Sequence, residues 1–344
     1  MAVFPLEITV AQYLLRRLLL IPPTFLGLTF LVFVITRFVP GGPVERMIAE
    51  MQESAASSGQ DAAQIDLDEE QIAQLNEYYG FDKPIIISYG IWLGRVFQGD
   101  LGASSRYGDP VAEIIGSRLP ISIFYGVTSM LITYFICLPL GIFKAIKHQS
   151  VFDNLSSSLV FIGYALPSYV VAVILMVVFA SHLEWFPLGG FVSDDFEDLS
   201  RWEQVKDLLA HAVLPLTAYV SGSFAVMTFM MKNALMDNLA ADYVRTAMAK
   251  GLSFRQAVLN HAFKNSLIPL ATHFGNNISI IIAGSFLIEK IFNIDGFGLL
   301  GYESILERDY PVVMGILVIS SLLQLFGNIL SDICVAVVDP RVQF

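Results

Sequence analysis

Six stretches of this sequence contain no Asp, Glu, Lys or Arg: residues 18–36, 119–143, 154–183, 208–231, 265–288 and 310–331. The shortest has 19 residues and the longest 30. A helix rises 1.5 Å per residue, so about 20 apolar residues cross a hydrocarbon core about 30 Å thick. Core helices of soluble proteins usually run about 8–20 residues and keep a polar face. Charge is also scarce overall, at 15% of the 344 residues, where a soluble domain carries about 25%. The pattern predicts an all-α membrane protein with six transmembrane helices.

Lys and Arg set the orientation, because they are retained on the cytoplasmic side of short loops. Placing the N-terminus inside makes 1–17, 144–154, 232–264 and 332–344 the inner segments. These hold ten basic and six acidic residues, and the outer segments hold the other ten basic with twenty-five acidic ones. The formal charge of −11 thus belongs to the outer face. It carries no implication of nucleic-acid binding. The expected topology is N-in and C-in.

Arg16-Arg17 before an apolar run could open a cleavable signal peptide, but 18–36 exceeds a usual signal core and no small-x-small site follows. It reads as a retained span, with Pro22-Pro23 in its first turn or kinking it. Cys137 and Cys334 fall in or beside spans and read as packing residues. The first outer segment contains a polar low-complexity piece, Glu53–Gln64, which reads as flexible. A helix over Asp68–Tyr79 with Gly80 as its stop follows, then an aromatic patch, Tyr89–Phe97, suited to the membrane interface. Tyr164, Pro167 and Tyr169 in the third span read as a kink or as packing.

The inner segment 232–264 is the most informative. Apolar residues recur at helical spacing from Leu239 to Lys250: Tyr243, Val244, Ala247 and Met248. Gly251 follows in the position of a left-handed helix stop. Ser253-Phe254-Arg255-Gln256 then matches a capping box that opens a second helix. A short helix, a glycine turn and another helix are thus specified on the inner surface.

The sequence lacks a phosphate-binding G-x-x-x-x-G-K-[ST] loop and an H-E-x-x-H helix. Its five histidines show no metal-ligand spacing. No catalytic residue and no metal site are expected. The spans hold no acid or Lys deep inside, where proton- and sodium-driven carriers keep one. They do hold polar groups: Ser221 and Ser223 in the fourth, Asn276, Asn277 and Ser279 in the fifth. These suit either a translocation path or hydrogen bonds between helices.

Arg245-Thr246-Ala247-Met248-Ala249-Lys250-Gly251-Leu252-Ser253 resembles the EAA loop of binding-protein-dependent ABC importer permeases. In detail it is similar to the dipeptide/oligopeptide/nickel branch, as is His261-Ala262-Phe263-Lys264-Asn265-Ser266-Leu267-Ile268-Pro269. Two departures from the wider family are usual in this branch: Pro269 stands farther from the glycine, and Arg245 occupies a position where Glu is preferred. The resemblance extends over nearly the whole chain, through Tyr13–Arg17, Pro40-Gly41-Gly42-Pro43, Gly80–Pro84, Gly99–Gly102, Arg118-Leu119-Pro120 and Val338-Asp339-Pro340-Arg341. Within the branch, Gly301-Tyr302-Glu303, Arg308–Pro311 and Leu330–Ile333 look most like B-type permeases of microcin C and extended-peptide importers.

The resemblance implies a pore subunit of an ATP-driven peptide importer in the bacterial inner membrane, without catalysis of its own. It implies residues 1–37 as cytoplasmic N-terminus and first span, 38–118 as a periplasmic domain, and 119–344 as a five-helix core. Implied partners are a C-type permease, two ATPase subunits or one fused tandem ATPase that bind ATP and Mg, a periplasmic substrate-binding protein, peptide and lipid. The helix over 239–250 would be the coupling helix, with Asp242, Tyr243, Arg245, Thr246, Ala247, Met248, Ala249, Lys250 and Gly251 facing an ATPase. Import of nickel, glutathione or sugar by a related member, or a stand-alone secondary carrier or channel, is the competing expectation.

Overall fold

The computed structural model describes residues 10–38, 74, 77, 82–274 and 284–338. Among these, regular structure is helical, apart from one isolated bridge between Ala103 and Pro110. The helices are α1 (Val10–Phe38), α2 (Ile85–Phe97), α3 (Val111–Ile146), α4 (Val151–Ala165), α5 (Ser168–Leu175), α6 (Arg201–Ala240) and α7 (Asp242–Ala249). They continue with α8 (Phe254–Ala257), α9 (Phe263–Ser266), α10 (Phe286–Ile291), α11 (Phe297–Leu306) and α12 (Tyr310–Val338). π-Helical turns extend α5 over Met176–His182 and join α8 to α9 over Val258–Ala262.

Among the described residues four helices are long and apolar enough to cross a membrane: α1 from Leu15, α3, α6 and α12. A fifth span results if α4 and α5 count as one helix broken by a 91° bend. The break has a local cause. Leu166 precedes a proline, which disfavours helical geometry, and it is extended at φ −94°, ψ 125°. Pro167 then starts α5 without needing an N–H partner. Tyr164 and Tyr169 flank the bend and are exposed. The fifth stretch, 265–288, has its centre at 275–283 outside the described residues. So do Pro40–Pro43, Glu53–Gln64 and all but two residues of Asp68–Tyr79. Pro22 and Pro23 lie inside α1, which begins at Val10 and not at the apolar run.

The chain packs as two units. The first comprises residues 1–20, 119–299 and 323–344. One of its cores gathers Tyr125, Ala172, Ala212, Ala218, Ile288 and Phe292. The other gathers Cys137, Met227, Met231, Leu235, Val244, Ala257 and Leu270. Small residues let helix backbones approach where lipid offers no hydrophobic drive between helices. Gly141 shows how close: a Cβ there would lie 2.7 Å from Met231 Cβ and 2.8 Å from the Thr228 carbonyl oxygen. Both cysteines are free.

The second unit comprises 21–118 and 300–322. Helix α2 packs its aromatic patch on α1. The Tyr89 and Thr29 hydroxyls share a 2.9 Å hydrogen bond, and Phe33 meets both Tyr89 and Trp92. Buried Asp309 heads α12, accepting from the Ser104 hydroxyl and the Ser105, Arg106 and Val312 N–H groups. Arg106 pairs with Glu307 at 2.7 Å and Glu303 at 3.4 Å.

Candidate functional site

The helix expected over 239–250 is shorter than its periodicity suggests. Leu239 and Ala240 complete α6, Ala241 turns the chain at φ −72°, ψ 146°, and α7 begins at Asp242. The four apolar residues do not share a face. Val244 and Ala247 are buried, whereas Tyr243 and Met248 are exposed at 40% and 42%. Asp242, Arg245, Thr246, Ala249 and Lys250 are exposed as well. Val244 and Ala247, three apart, fit one inward stripe of a helix. What remains outward is a mixed apolar and charged surface one helix wide.

Gly251 closes the helix at φ +96°. Its N–H donates to the Met248 carbonyl at 2.9 Å, and the Leu252 N–H to the Ala247 carbonyl at 3.3 Å. This bond pair is the Schellman stop. A Cβ on Gly251 would meet open space, so conformation and not crowding selects glycine. The capping box is present too: the Gln256 N–H donates to Ser253 Oγ and the Ser253 N–H to Gln256 Oε1. A hydrogen-bonded hub sits beneath α7. Asn238 Nδ2 donates to the Ala234 carbonyl at 2.8 Å and to Ser266 Oγ at 3.2 Å, and Asn238 Oδ1 accepts from the Tyr243 hydroxyl.

Near this loop three charged residues are buried together: Lys144 of α3, Asp153 of α4 and Lys232 of α6. Both Asp153 oxygens accept from Lys232 Nζ at 2.8 Å, and Lys144 Nζ lies 3.2 Å from Oδ1. Lys144 also donates to Ser156 Oγ, Ser157 Oγ and the Asp153 carbonyl at 2.7–3.0 Å. Sequence reading treats all three as loop residues marking span ends. A hydropathy scan sees each charge and not its partners.

Within the first unit a cavity of 210 Å³ opens between α3, α5, α6 and the start of α10. Ser223 lines it together with Thr133, Ser168, Tyr219 and Ser285. Ser221 is not among its lining residues: two positions from Tyr219 and from Ser223 it points elsewhere, and its hydroxyl donates to the Ala218 carbonyl at 2.7 Å. Tyr219 and Ser223 are one turn apart, and that i,i+4 spacing was available in the sequence. Asn276, Asn277 and Ser279 lie outside the described residues.

Behind the cavity is Glu289, fully buried. It accepts from Ser122 Oγ at 2.9 Å, the Leu299 N–H at 2.6 Å and the Tyr219 hydroxyl at 3.4 Å. Ser122 Oγ in turn accepts from the Phe297 N–H at 2.8 Å. A side chain on Gly296 would occupy the carboxylate's space. The glycine-rich segment is therefore folded around one acid. No group of three or more metal-ligating side chains occurs among the described residues.

The sequence pattern of the family described as "Binding-protein-dependent transport system inner membrane component" matches residues 137–344. The chain belongs to this family of inner-membrane permeases. The permease is 39% identical to the "Peptidoglycan transport system permease protein YejB" of Agrobacterium fabrum, over 96% of this chain and 98% of that protein. It is 39% identical, with the same shares covered, to the "Inner membrane ABC transporter permease protein YejB" of Escherichia coli O157:H7. It is 36% identical to the "Oligopeptide transport system permease protein AppB" of Bacillus subtilis, over 97% and 100%. These relatives agree with the dipeptide/oligopeptide branch to which the Arg245–Ser253 motif points. They leave no support for a stand-alone secondary carrier or channel.

Proposed function

We propose that this permease is the B-type pore subunit of an ATP-driven, binding-protein-dependent peptide importer. The relatives' names supply the substrate class, and the outward face of α7 is the observation that carries the mechanism. A helix of eight residues is too short to be stable alone. Here it is held by a buried inner stripe, a glycine stop and a polar hub, yet leaves Tyr243, Arg245, Met248 and Lys250 exposed. Such a structure suits docking against another protein. In this reading α7 seats in a cleft of a cytoplasmic ATPase that binds ATP and Mg, and closure of two ATPases tips the pore between inward- and outward-open states. Ala247 acts from beneath, and Gly251 fixes the exit of the helix.

The same reading has six spans, N-in and C-in. Residues 1–37 form the N-terminus and first span, 38–118 a periplasmic domain, and 119–344 the core with coupling loop 232–264. A C-type permease supplies the other half of the pore, and a periplasmic binding protein delivers peptide. Ser223 lies on the path, with Ser221, Asn276, Asn277 and Ser279 proposed beside it. Purification from the native membrane in mild detergent tests the assembly. Recovery of a second permease and ATPases, with hydrolysis stimulated by peptide-loaded binding protein, is expected. A lone homo-oligomer without ATPase would overturn the reading.

A further inference from the structure

The cavity against α10 has a chemistry that nothing so far assigns. Its described lining contains no Asp, Glu, Lys, Arg or His. Three helices each contribute one hydroxyl without a hydrogen-bond partner among the described residues: Thr133 from α3, Ser168 from α5 and Ser223 from α6. Ser285, the residue before α10, adds a fourth, and the remaining hydroxyls are committed. Ser129 Oγ donates to the Gly126 carbonyl, Tyr134 to the Leu270 carbonyl, and the Tyr219 oxygen accepts from the Ser285 N–H at 3.0 Å. The nearest carboxylate, Glu289, is kept from the cavity by the Tyr219 hydroxyl and by its bonds to Ser122 and Leu299.

We infer that this cavity is a transit site for the uncharged main chain of a passing peptide, blind to side-chain charge. This rests on the importer reading above. A hydroxyl both donates and accepts, so these groups can replace water on amide N–H and C=O groups in either direction. Leaving such groups unpaired in a low-dielectric passage costs about 1–3 kcal/mol each. A fixed charge in the wall would instead attract or repel substrates by their side chains. Met130 and Ile288 supply apolar wall between the hydroxyls. At 210 Å³ the cavity is below the roughly 300–1,000 Å³ of a small-molecule pocket, which fits part of a chain in transit.

The test uses the complete importer, purified with its own partners and reconstituted in liposomes. Uptake of three short peptides, neutral, acidic and basic, is measured with each already saturating the binding protein. Ser223→Asp should depress uptake of the acidic peptide at least about tenfold relative to the basic one. The combined variant T133A/S168A/S223A should lower uptake of all three by a common factor of about five or more, with peptide-stimulated ATP hydrolysis retained. If either aspartate variant, Ser223→Asp or Ser168→Asp, scales all three peptides equally, or if the triple variant transports as wild type, the assignment is overturned. Should the triple variant not assemble, the peptide ratio within one aspartate variant still decides. A wild-type complex that takes up none of the three peptides would instead overturn the importer reading.

Discussion

Replacing Asp153 by Ala should be among the most destabilising single changes in the membrane core, and the structure says which partner suffers. Lys144 keeps three acceptors without the carboxylate: Ser156 Oγ, Ser157 Oγ and the Asp153 carbonyl. Lys232 has no such reserve among the described residues, since its ammonium bonds the two Asp153 oxygens and its side chain is only 11% exposed. Removing one partner of a buried pair costs about 3–5 kcal/mol, chiefly because the other charge stays buried and unpaired. Asp153→Ala should therefore cost that much, and Lys232→Met less, because Lys144 still neutralises the acid. The double variant D153A/K232M removes both members and should recover about 1–3 kcal/mol of the single loss, the usual coupling of contacting residues. The assay is the fraction of monodisperse permease that survives graded denaturant in detergent, for the wild type, both single variants and the double. A loss below about 1 kcal/mol for Asp153→Ala, or a double variant worse than Asp153→Ala, would refute the reasoning. The first result would mean water reaches the cluster, and the second that the lysine has another partner.

Gly251→Pro should abolish uptake while leaving membrane insertion intact, because proline cannot reach φ +96° and lacks the N–H that bonds Met248. Uptake of radiolabelled peptide against membrane-fraction yield checks it. Arg245→Glu should weaken ATPase assembly, read as ATPase recovered per permease; among the described residues Arg245 pairs with exposed Asp242 alone, at 3.8 Å, a pair worth about 0–1 kcal/mol. Glu289→Ala should cost about 3–5 kcal/mol in the same denaturant assay, because it orphans the Leu299 N–H and the Ser122 hydroxyl and leaves a void.

How much of this was legible in the sequence varies by position. Gly251 and the Ser253/Gln256 box were readable because a backbone stop and a cap use residue types with few other uses. At Pro167 the sequence left a kink and packing open, and the 91° break is seen only in the structure. The start of α7 was not readable. Leu239, Ala240 and Ala241 are all good helix formers, so propensity does not end α6; the extended turn at Ala241 is bridged by a side-chain bond from Tyr243 back to Asn238, which propensity and periodicity do not reveal. The burial of Lys144, Asp153, Lys232 and Glu289 was hidden too. Partners for these charges lie on other helices, and a charge at a span end looks alike whether solvated or paired. Of the polar residues singled out in the spans Ser223 lines the cavity, and Tyr219, one turn earlier, did not stand out, because aromatic residues in spans usually signal packing.

Asn238 links these observations into a mechanical argument. A push on α7 can move the pore only if α7 is rigidly joined to the spans, and its ends offer little rigidity: Ala241 is a single extended residue and Gly251 a glycine. Two sets of contacts supply the stiffness. Val244 and Ala247 bury against the core, and Asn238 bonds the last turns of α6 to Tyr243 on one side and to Ser266, at the base of the next helix, on the other. Ser266 itself donates to the Ala234 and Ala262 carbonyls. Helices α6, α7 and α9 thus share one polar joint. Tyr243→Phe cuts only its link to α7. Each net hydrogen bond is worth about 0.5–1.5 kcal/mol, too little to unfold the protein but enough to slacken the joint. Tyr243→Phe and Asn238→Ala should therefore assemble normally and hydrolyse ATP, yet deliver fewer peptides per ATP, with Asn238→Ala the more severe since it cuts both links. An unchanged ratio of peptide to ATP in Asn238→Ala would show that the buried stripe alone carries the push.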